Sequence, residues 1–92
     1  MLKVRFKTNI DFYDDSWFPK SFSAVPQIGS MVSVLEFAMA HIESRKMPLQ
    51  LEVKSVYWEE RGGDTHVYCD LHFNQTQVVA LKLKGIDWEK VY

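Results

Sequence analysis

Apolar and polar residues alternate on both sides of a glycine pair within residues 49–73. Gly62 and Gly63 reach positive φ without a steric penalty from a Cβ atom, as the two-residue turns of β-hairpins require. The pattern predicts two antiparallel strands whose pairing starts with Arg61 opposite Asp64. In this register one face of the return strand carries Val67, Cys69, Leu71 and Phe73.

The outgoing strand of this hairpin changes phase once. Leu51 and Val53 fit one alternation, whereas Val56 and Trp58 fit the other. One extra residue is therefore needed at residues 54–55, and we predict a β-bulge there that restores the pairing and bends the ribbon.

A first strand is predicted over residues 2–8, which also alternate. One face is apolar and would face the core. The other face is basic and carries Lys3, Arg5 and Lys7. Such a face is either a solvated surface that blocks unwanted strand pairing or a stripe that contacts phosphates.

Residues 9–29 are irregular and rich in aromatic side chains. One interpretation is that Trp17, Phe18 and Phe22 cover one end of the core. The alternative is a partner-binding loop, in which the acidic residues around Tyr13 and Trp17 suit a protein surface better than phosphate.

Residues 30–46 predict a helix that Pro48 terminates, and its apolar face would carry Met31, Leu35, Ala38, Met39 and Ile42. Two starting points remain open. Ser30 could cap the helix, or Ser33 and Glu36 could form a capping box and leave residues 31–34 as a strand. Phe37 lies off the apolar face and either meets the aromatic segment or is exposed for a partner.

After the hairpin, residues 77–84 predict a final strand with Val79, Leu81 and Leu83 inward and Lys82 and Lys84 outward. The apolar residues Ile86 and Trp88 follow it. They are expected to dock onto the sheet or to face a second copy of the chain, which would give a homodimer.

These elements predict an α+β fold in a single domain of 92 residues, in the order β-α-β-β-β. We expect a strongly twisted, mainly antiparallel, barrel-like sheet with one helix packed on it. An extra short strand before the helix remains open.

Composition narrows the choice of partner and compartment. A net charge of −1 gives no bulk attraction to nucleic acid or to anionic membranes. Cys69 is the only cysteine, no apolar run approaches a membrane span, and the N-terminal residues lack the pattern of a signal peptide. We therefore expect a cytoplasmic protein with no membrane association.

Motifs for phosphate loops, zinc sites or nucleophile elbows are absent from the sequence. Glu52, Asp70 and His72 share one face of the hairpin and are the weak candidates for a divalent metal ion. With His66 they could support a metal-assisted hydrolase. Because nothing in the pattern completes a ligand set, we predict no metal, no cofactor and no catalytic residue.

Three functions remain. The first is a non-enzymatic protein-interaction module, accessory or inhibitory, which we favour because catalytic motifs are absent. Its candidate contacts are Tyr13, Trp17, Phe18, Phe37 and Trp88. The second is a curved-sheet binder of single-stranded nucleic acid that stacks bases on a tyrosine pair. Its candidate contacts are Lys3, Arg5, Lys7, Tyr57, Tyr68, Lys82 and Lys84. The third is the metal-assisted hydrolase.

Overall fold

Five strands and two α-helices form in the described part of the chain, residues 2–22 and 24–86 of a computed structural model. In chain order the elements are β1 (Leu2–Thr8), a 3-10 helix (Asp15–Trp17), β2 (Ser21–Phe22), β3 (Met31–Ser33), α1 (Glu36–Ser44), β4 (Gln50–Arg61), β5 (Asp64–His72) and α2 (Gln75–Leu83). Trp88 lies outside the described residues, so its predicted docking stays a prediction.

The strands form one sheet in the order β2-β1-β5-β4-β3. β5 lies at the centre, antiparallel to β4 and parallel to β1, while β2 and β3 are short antiparallel strands at the two edges. The α+β class is thus confirmed. The sheet is mixed and open within the described residues, because β2 and β3 end it on opposite sides, so the barrel-like form and the predicted element order are not observed.

The β4–β5 hairpin has the predicted register. Gly62 and Gly63 both adopt positive φ, at 57° and 87°, and Arg61 pairs with Asp64. The register shifts between Val53 and Ser55, which confirms the bulge. This part of the fold follows from local turn chemistry and alternation alone.

The helix before the hairpin takes the shorter of the two predicted forms. Met31–Ser33 form β3, and α1 begins only at Glu36. The capping box predicted for this start is not formed, since the N-cap is Leu35 and it makes no side-chain capping bond. β-branched Val32 pairs with β4 instead. Strand pairing therefore outweighs the helical periodicity here.

The final strand predicted over residues 77–84 is wrong, because this segment forms α2. The Asn74 side chain accepts from the Gln77 backbone N–H at 2.8 Å, and the Gln77 side chain accepts from the Asn74 N–H at 3.0 Å. This capping box satisfies two N–H groups that helix formation leaves without partners. A strand formed by these residues could not pair with β5 either, because β1 and β4 already pair with the two edges of β5.

The change from strand to helix moves Lys82 and Lys84. Both are exposed at the C-terminal end of α2, and the sheet neighbours of β1 are β2 and β5. The basic stripe expected from these lysines next to β1 is therefore not formed.

One buried cluster joins side chains of four strands, both helices and the segment between β1 and the 3-10 helix. It covers one face of the sheet. Its largest fully buried members are Phe18, Ile10, Ile42, Leu51 and Leu71. The opposite face, called the open face below, carries Lys3, Arg5, Lys7, Glu52, Ser55, Tyr57, Glu59, His66, Tyr68, Asp70 and His72.

Candidate binding cleft beside the first strand

The parallel pairing of β1 with β5 determines which open-face side chains meet. Arg5 pairs with Tyr68 and Lys7 with Asp70. Across the other side of β5, Tyr57 pairs with Tyr68. Basic residues of β1 thus lie in the same rows as the tyrosine pair, as the nucleic-acid hypothesis requires.

Tyr68, however, does not offer a stacking surface. Its ring stacks on Tyr57 with centroids 5.3 Å apart and 14° between the planes. The Lys7 ammonium lies 4.8 Å from the same ring centroid, on the side of β1. Tyr68 is only 3% exposed, whereas Tyr57 is 40% exposed. A base could therefore reach Tyr57 but finds no free face on Tyr68.

The acidic side chains of the open face have local partners on β4. Asp70 accepts a hydrogen bond from the Ser55 hydroxyl at 2.7 Å, and Glu59 accepts from Arg61 at 2.6 Å. The Arg61 hydrogen bond is the main reason that the pKa of the Glu59 carboxyl lies below its usual value, with smaller contributions from nearby positive charges. Both carboxylates are held by these partners, although the charge of Lys7 on β1 also contributes to the lowered pKa of Glu59.

The weak metal candidates do not form a site. Glu52 pairs with His72 across the hairpin but forms its ion pair with Lys54, and Asp70 is held by Ser55. In residues 2–22 and 24–86, no group of three or more His, Cys, Asp or Glu side chains is arranged to hold a metal ion. Asp70 and His72 do line a second cleft, of about 320 Å³. The hydrolase hypothesis stays a prediction.

A cleft of about 510 Å³ lies between β1 and the segment from the 3-10 helix to β2. We call it the β1 cleft. Its charged lining residues are Lys3, Arg5, Lys7, Asp15 and Lys20, and the imidazole of His66 also lines it. The remaining lining residues are Val4, Phe6, Ser16 and Pro19.

Backbone contacts fix the wall of the β1 cleft opposite the strand. The Val4 N–H donates to the Lys20 carbonyl at 3.0 Å. Asp14 caps the 3-10 helix by accepting from both the N–H and the hydroxyl of Ser16, at 2.8 and 2.7 Å. Leu35 also donates to the carbonyl of Trp17. The cleft is thus held open by secondary structure on one side and by capped, hydrogen-bonded chain on the other.

The β1 cleft is strongly unbalanced in charge. Three lysines and one arginine face a single carboxylate, Asp15, although the whole chain carries a formal charge of −1. Within the described residues, ion pairs join Lys54 to Glu52 and Arg61 to Glu59, and none of them involves a cation of the cleft. Glu59, whose pKa is lowered in part by the charge of Lys7, offsets that lysine, whereas the ion pairs of the described residues leave Lys3, Arg5 and Lys20 without a carboxylate partner.

Trp17 and Phe18 have the covering role that the first of the two interpretations gives them, whereas the side chain of Phe22, the third residue named for that role, lies outside the described part of the structure. Tyr13 and Phe18 are buried, at 5% and 1% exposure, and Trp17 is half-buried with its ring against Phe12 and His41. The Tyr13 hydroxyl donates to a backbone carbonyl at 2.6 Å, and burial raises its pKa. Of the described candidates for partner contact, Phe37 alone is well exposed, at 69%.

Two members of the cleft, Lys20 and His66, were not singled out by the sequence as partners of the basic strand. Lys20 comes from an irregular segment in which no periodicity indicates the return to β1. His66 reaches the cleft because β5 pairs in parallel with β1, a contact between distant parts of the chain. Alternation alone could identify only the three basic residues of β1.

Cys69 is expected to be inert in the folded protein. It has 0% exposure, and burial, followed by the neighbouring Asp70 charge, raises its pKa. We predict that a disulfide reagent such as dithiobis(nitrobenzoate) modifies the Cys69 thiol ~100-fold more slowly in buffer than in denaturant. The T65C variant, with a thiol at an exposed position of the same strand, is the control and should react quickly under both conditions. Equal rates for Cys69 in buffer and in denaturant would contradict its burial.

Comparison with models of protein families, with curated proteins and with solved structures gives no match for this chain. Among the described residues, the helices are too short or too polar to cross a membrane. A function is therefore inferred from the chemistry of the chain's own surfaces.

Proposed function

We propose that this chain is a non-enzymatic protein-interaction module that binds an acidic segment of a partner protein in the β1 cleft. The observation that supports it best is the charge imbalance of the cleft, where four basic side chains face one carboxylate. Complementary charge of this kind steers a ligand toward its site and disfavours partners of the wrong sign. The partner would be masked or recruited along β1.

The lining of the cleft favours a carboxylate-rich peptide over a nucleic acid. Non-specific binders of single strands obtain much of their affinity by stacking bases on exposed aromatic rings. Phe6 is the one Phe, Tyr or Trp in the described lining and is buried at 3% exposure, and Tyr68 is covered by Tyr57 and Lys7. Carboxylates need only cationic groups and hydrogen-bond donors, which Lys3, Arg5 and Lys20 would supply.

A single-stranded nucleic acid remains the second candidate because of one observation. Tyr57 is 40% exposed and lies on the open face in the same row as Arg5, so one base could stack there while β1 contacts the phosphates. This alternative needs a strand that crosses the open face, whereas the acidic peptide needs only the β1 cleft.

The two candidates differ in a direct binding measurement. We expect a fluorescent 12-residue peptide rich in Glu and Asp to bind, and its Gln and Asn counterpart to bind at least tenfold more weakly, in fluorescence anisotropy at low salt. The triple variant K3Q/R5Q/K20Q should bind the acidic peptide roughly 10–100-fold more weakly, because each exposed charge contact contributes about 0.5–1 kcal/mol.

The matched control is R45Q/K82Q/K84Q, which removes the same number of lysines and arginines from exposed positions away from the cleft. It should retain the affinity of the parent protein. Equal loss in the two triple variants would show that only net charge matters and would contradict the cleft. Tighter binding of a 12-nucleotide oligothymidine, lost in Y57A, would instead establish the second candidate.

A further inference from the structure

Within residues 2–22 and 24–86, no strand lies beside the outer edge of β4 over half of its length. β3 pairs with Gln50, Leu51 and Glu52, and the turn before β3 bonds both backbone groups of Val53 at 2.9 Å. Beyond the bulge, over residues 55–61, β5 is the one strand that pairs with β4 among the described residues. An unpaired edge of this kind can template pairing with another chain.

The hairpin geometry identifies the backbone groups on that edge. Arg61 and Asp64 flank a two-residue turn, so they form the hydrogen-bonded type of pair. Because hydrogen-bonded and non-hydrogen-bonded pairs alternate along the ladder, the N–H and C=O groups of Val56, Trp58 and Glu60 point away from β5. Three donors and three acceptors thus lie along the outer edge.

Apolar side chains surround these groups. Trp58 is 55% exposed, Tyr57 is 40% exposed and Val56 is half-buried. Proteins usually protect an exposed edge with charges or bulges. In β4 the bulge at Lys54 and the charged residue Glu60 lie at the two ends of an apolar stretch. The middle of that stretch has neither form of protection.

We propose that this edge pairs with the same edge of a second copy of the chain, antiparallel and with the twofold axis at Tyr57. In this register Tyr57 lies opposite its own copy, and Val56 lies opposite Trp58 of the other copy. Lys54, which lies at the bulge and pairs with Glu52 in its own chain, comes near the Glu60 end of the other copy, so the two ends of the paired stretch carry lysine and glutamate side chains. The occupant is a second copy because the edge is complementary to itself in charge and in apolar character.

The neighbouring registers are less favourable. A twofold axis at Glu59 would place Glu59 opposite its own copy, and like charges that lie directly opposite destabilise a strand pair. An axis at Trp58 would place Val56 opposite Glu60 and would bury a carboxylate against an apolar side chain. Of these three axes, charge and apolarity favour the one at Tyr57.

The dimer would be modest in affinity and would leave the β1 cleft free. Pairing over about seven residues of each strand buries less surface than a standard protein interface, so we expect a dissociation constant of roughly 10–100 μM. In the sheet order, β1 lies on the far side of β5 from this edge. Two clefts would then be displayed by one dimer, and the two proposals can fail separately.

Light scattering and sedimentation equilibrium from about 5 μM to about 1 mM test the self-association. The apparent mass should rise from that of one chain toward that of two. The W58K variant should weaken the dimer at least tenfold, because it places a charge within the paired edge. The control is L83K, which also replaces an exposed apolar residue, 84% exposed on α2, and should leave the dimer unchanged. Circular dichroism would verify that both variants fold.

Cysteine substitutions test the register itself. With the axis at Tyr57, the Cα atoms of two Y57C copies lie about 4.5–5.5 Å apart, which is within reach of a disulfide. In E59C the two thiols are offset by four positions, about 13 Å, and cannot join. We expect Y57C to cross-link on mild oxidation and E59C and the parent protein not to. A monomer at about 1 mM, equal effects of W58K and L83K, or cross-linking of E59C in place of Y57C would each overturn the proposal.

Discussion

Replacing Phe18 by Ala is expected to lower the free energy of unfolding by about 3–5 kcal/mol. The Phe18 side chain is 1% exposed and lies with its ring centroid 6.2 Å from those of Phe6 and Tyr13. Truncation removes this buried surface and leaves a cavity that β1 and the capped 3-10 helix cannot readily fill. Against a typical domain stability of 5–15 kcal/mol, the loss is large.

The measurement is urea unfolding followed by circular dichroism, with Phe37→Ala as the control. Phe37 is 69% exposed, so the same truncation there should change stability by about 0.5 kcal/mol or less. A loss below about 1 kcal/mol for Phe18→Ala would mean that the aromatic segment is not part of the core. Phe18 would then again be a candidate for contact with a partner protein.

This pair of variants addresses a question that the sequence left open. Aromatic residues interleaved with aspartates in an irregular segment are compatible with core cover and with a binding loop, because composition does not reveal which side a ring faces. The structure separates them through contacts that no local pattern predicts, such as the hydrogen bond from Tyr13 to the Pro48 carbonyl and the ring contact of Trp17 with His41.

The hairpin was predictable because its determinants are local. Gly62 and Gly63 define the turn, alternation defines the faces, and the change of phase before Val56 locates the bulge. The parallel pairing of β1 with β5 was not predictable, since it joins residues about sixty positions apart and alternation is the same for parallel and antiparallel neighbours.

The same limit applies to the β1 cleft. Lys3, Arg5 and Lys7 could be recognised as a basic face from the sequence, and they form one wall. Whether that face is a solvated surface or a site depends on what lies opposite, and Lys20 reaches it through the bond from the Val4 N–H to its carbonyl. The choice between an acidic peptide and a nucleic acid then depends on Tyr68, whose ring is covered in the structure. The cross-strand pairing predicted from the sequence does not reveal that this ring is covered.

The wrong strand over residues 77–84 has a physical explanation. Val79, Leu81 and Leu83 alternate, but Val78 and Leu81 also fall three apart, as one face of a helix requires. In the structure Leu81 is buried and Val78 packs on the core, whereas Val79 and Leu83 are exposed at 50% and 84%. The sequence contains the Asn74 capping box, which indicates the start of a helix. The β-branched residues that follow it favour a strand and so pointed to the wrong element.

Replacing Val79 by proline is therefore expected to lower the free energy of unfolding by about 3 kcal/mol or more. Residue 79 lies in the middle of α2, where proline removes an intrahelical N–H donor and its ring meets the preceding turn. In an edge strand the same change would cost much less. Thermal and urea unfolding of V79P, with V79A as a side-chain control, measure this difference; V79A should be neutral or slightly stabilising, since Ala favours a helix over Val.

Gln75 provides the matched proline control. It is the first residue of α2, where the backbone N–H has no intrahelical acceptor, and the preceding Asn74 is extended, at φ −78° and ψ 171°, as a residue before proline prefers. Q75P should thus unfold within about 1 kcal/mol of the parent protein. Equal losses in V79P and Q75P, or a clear loss in V79A, would indicate that residues 75–83 are not helical. The two prolines lie one helical turn apart in the same short and mostly exposed segment. A difference in stability between the two variants therefore reports whether residue 79 lies inside a helix.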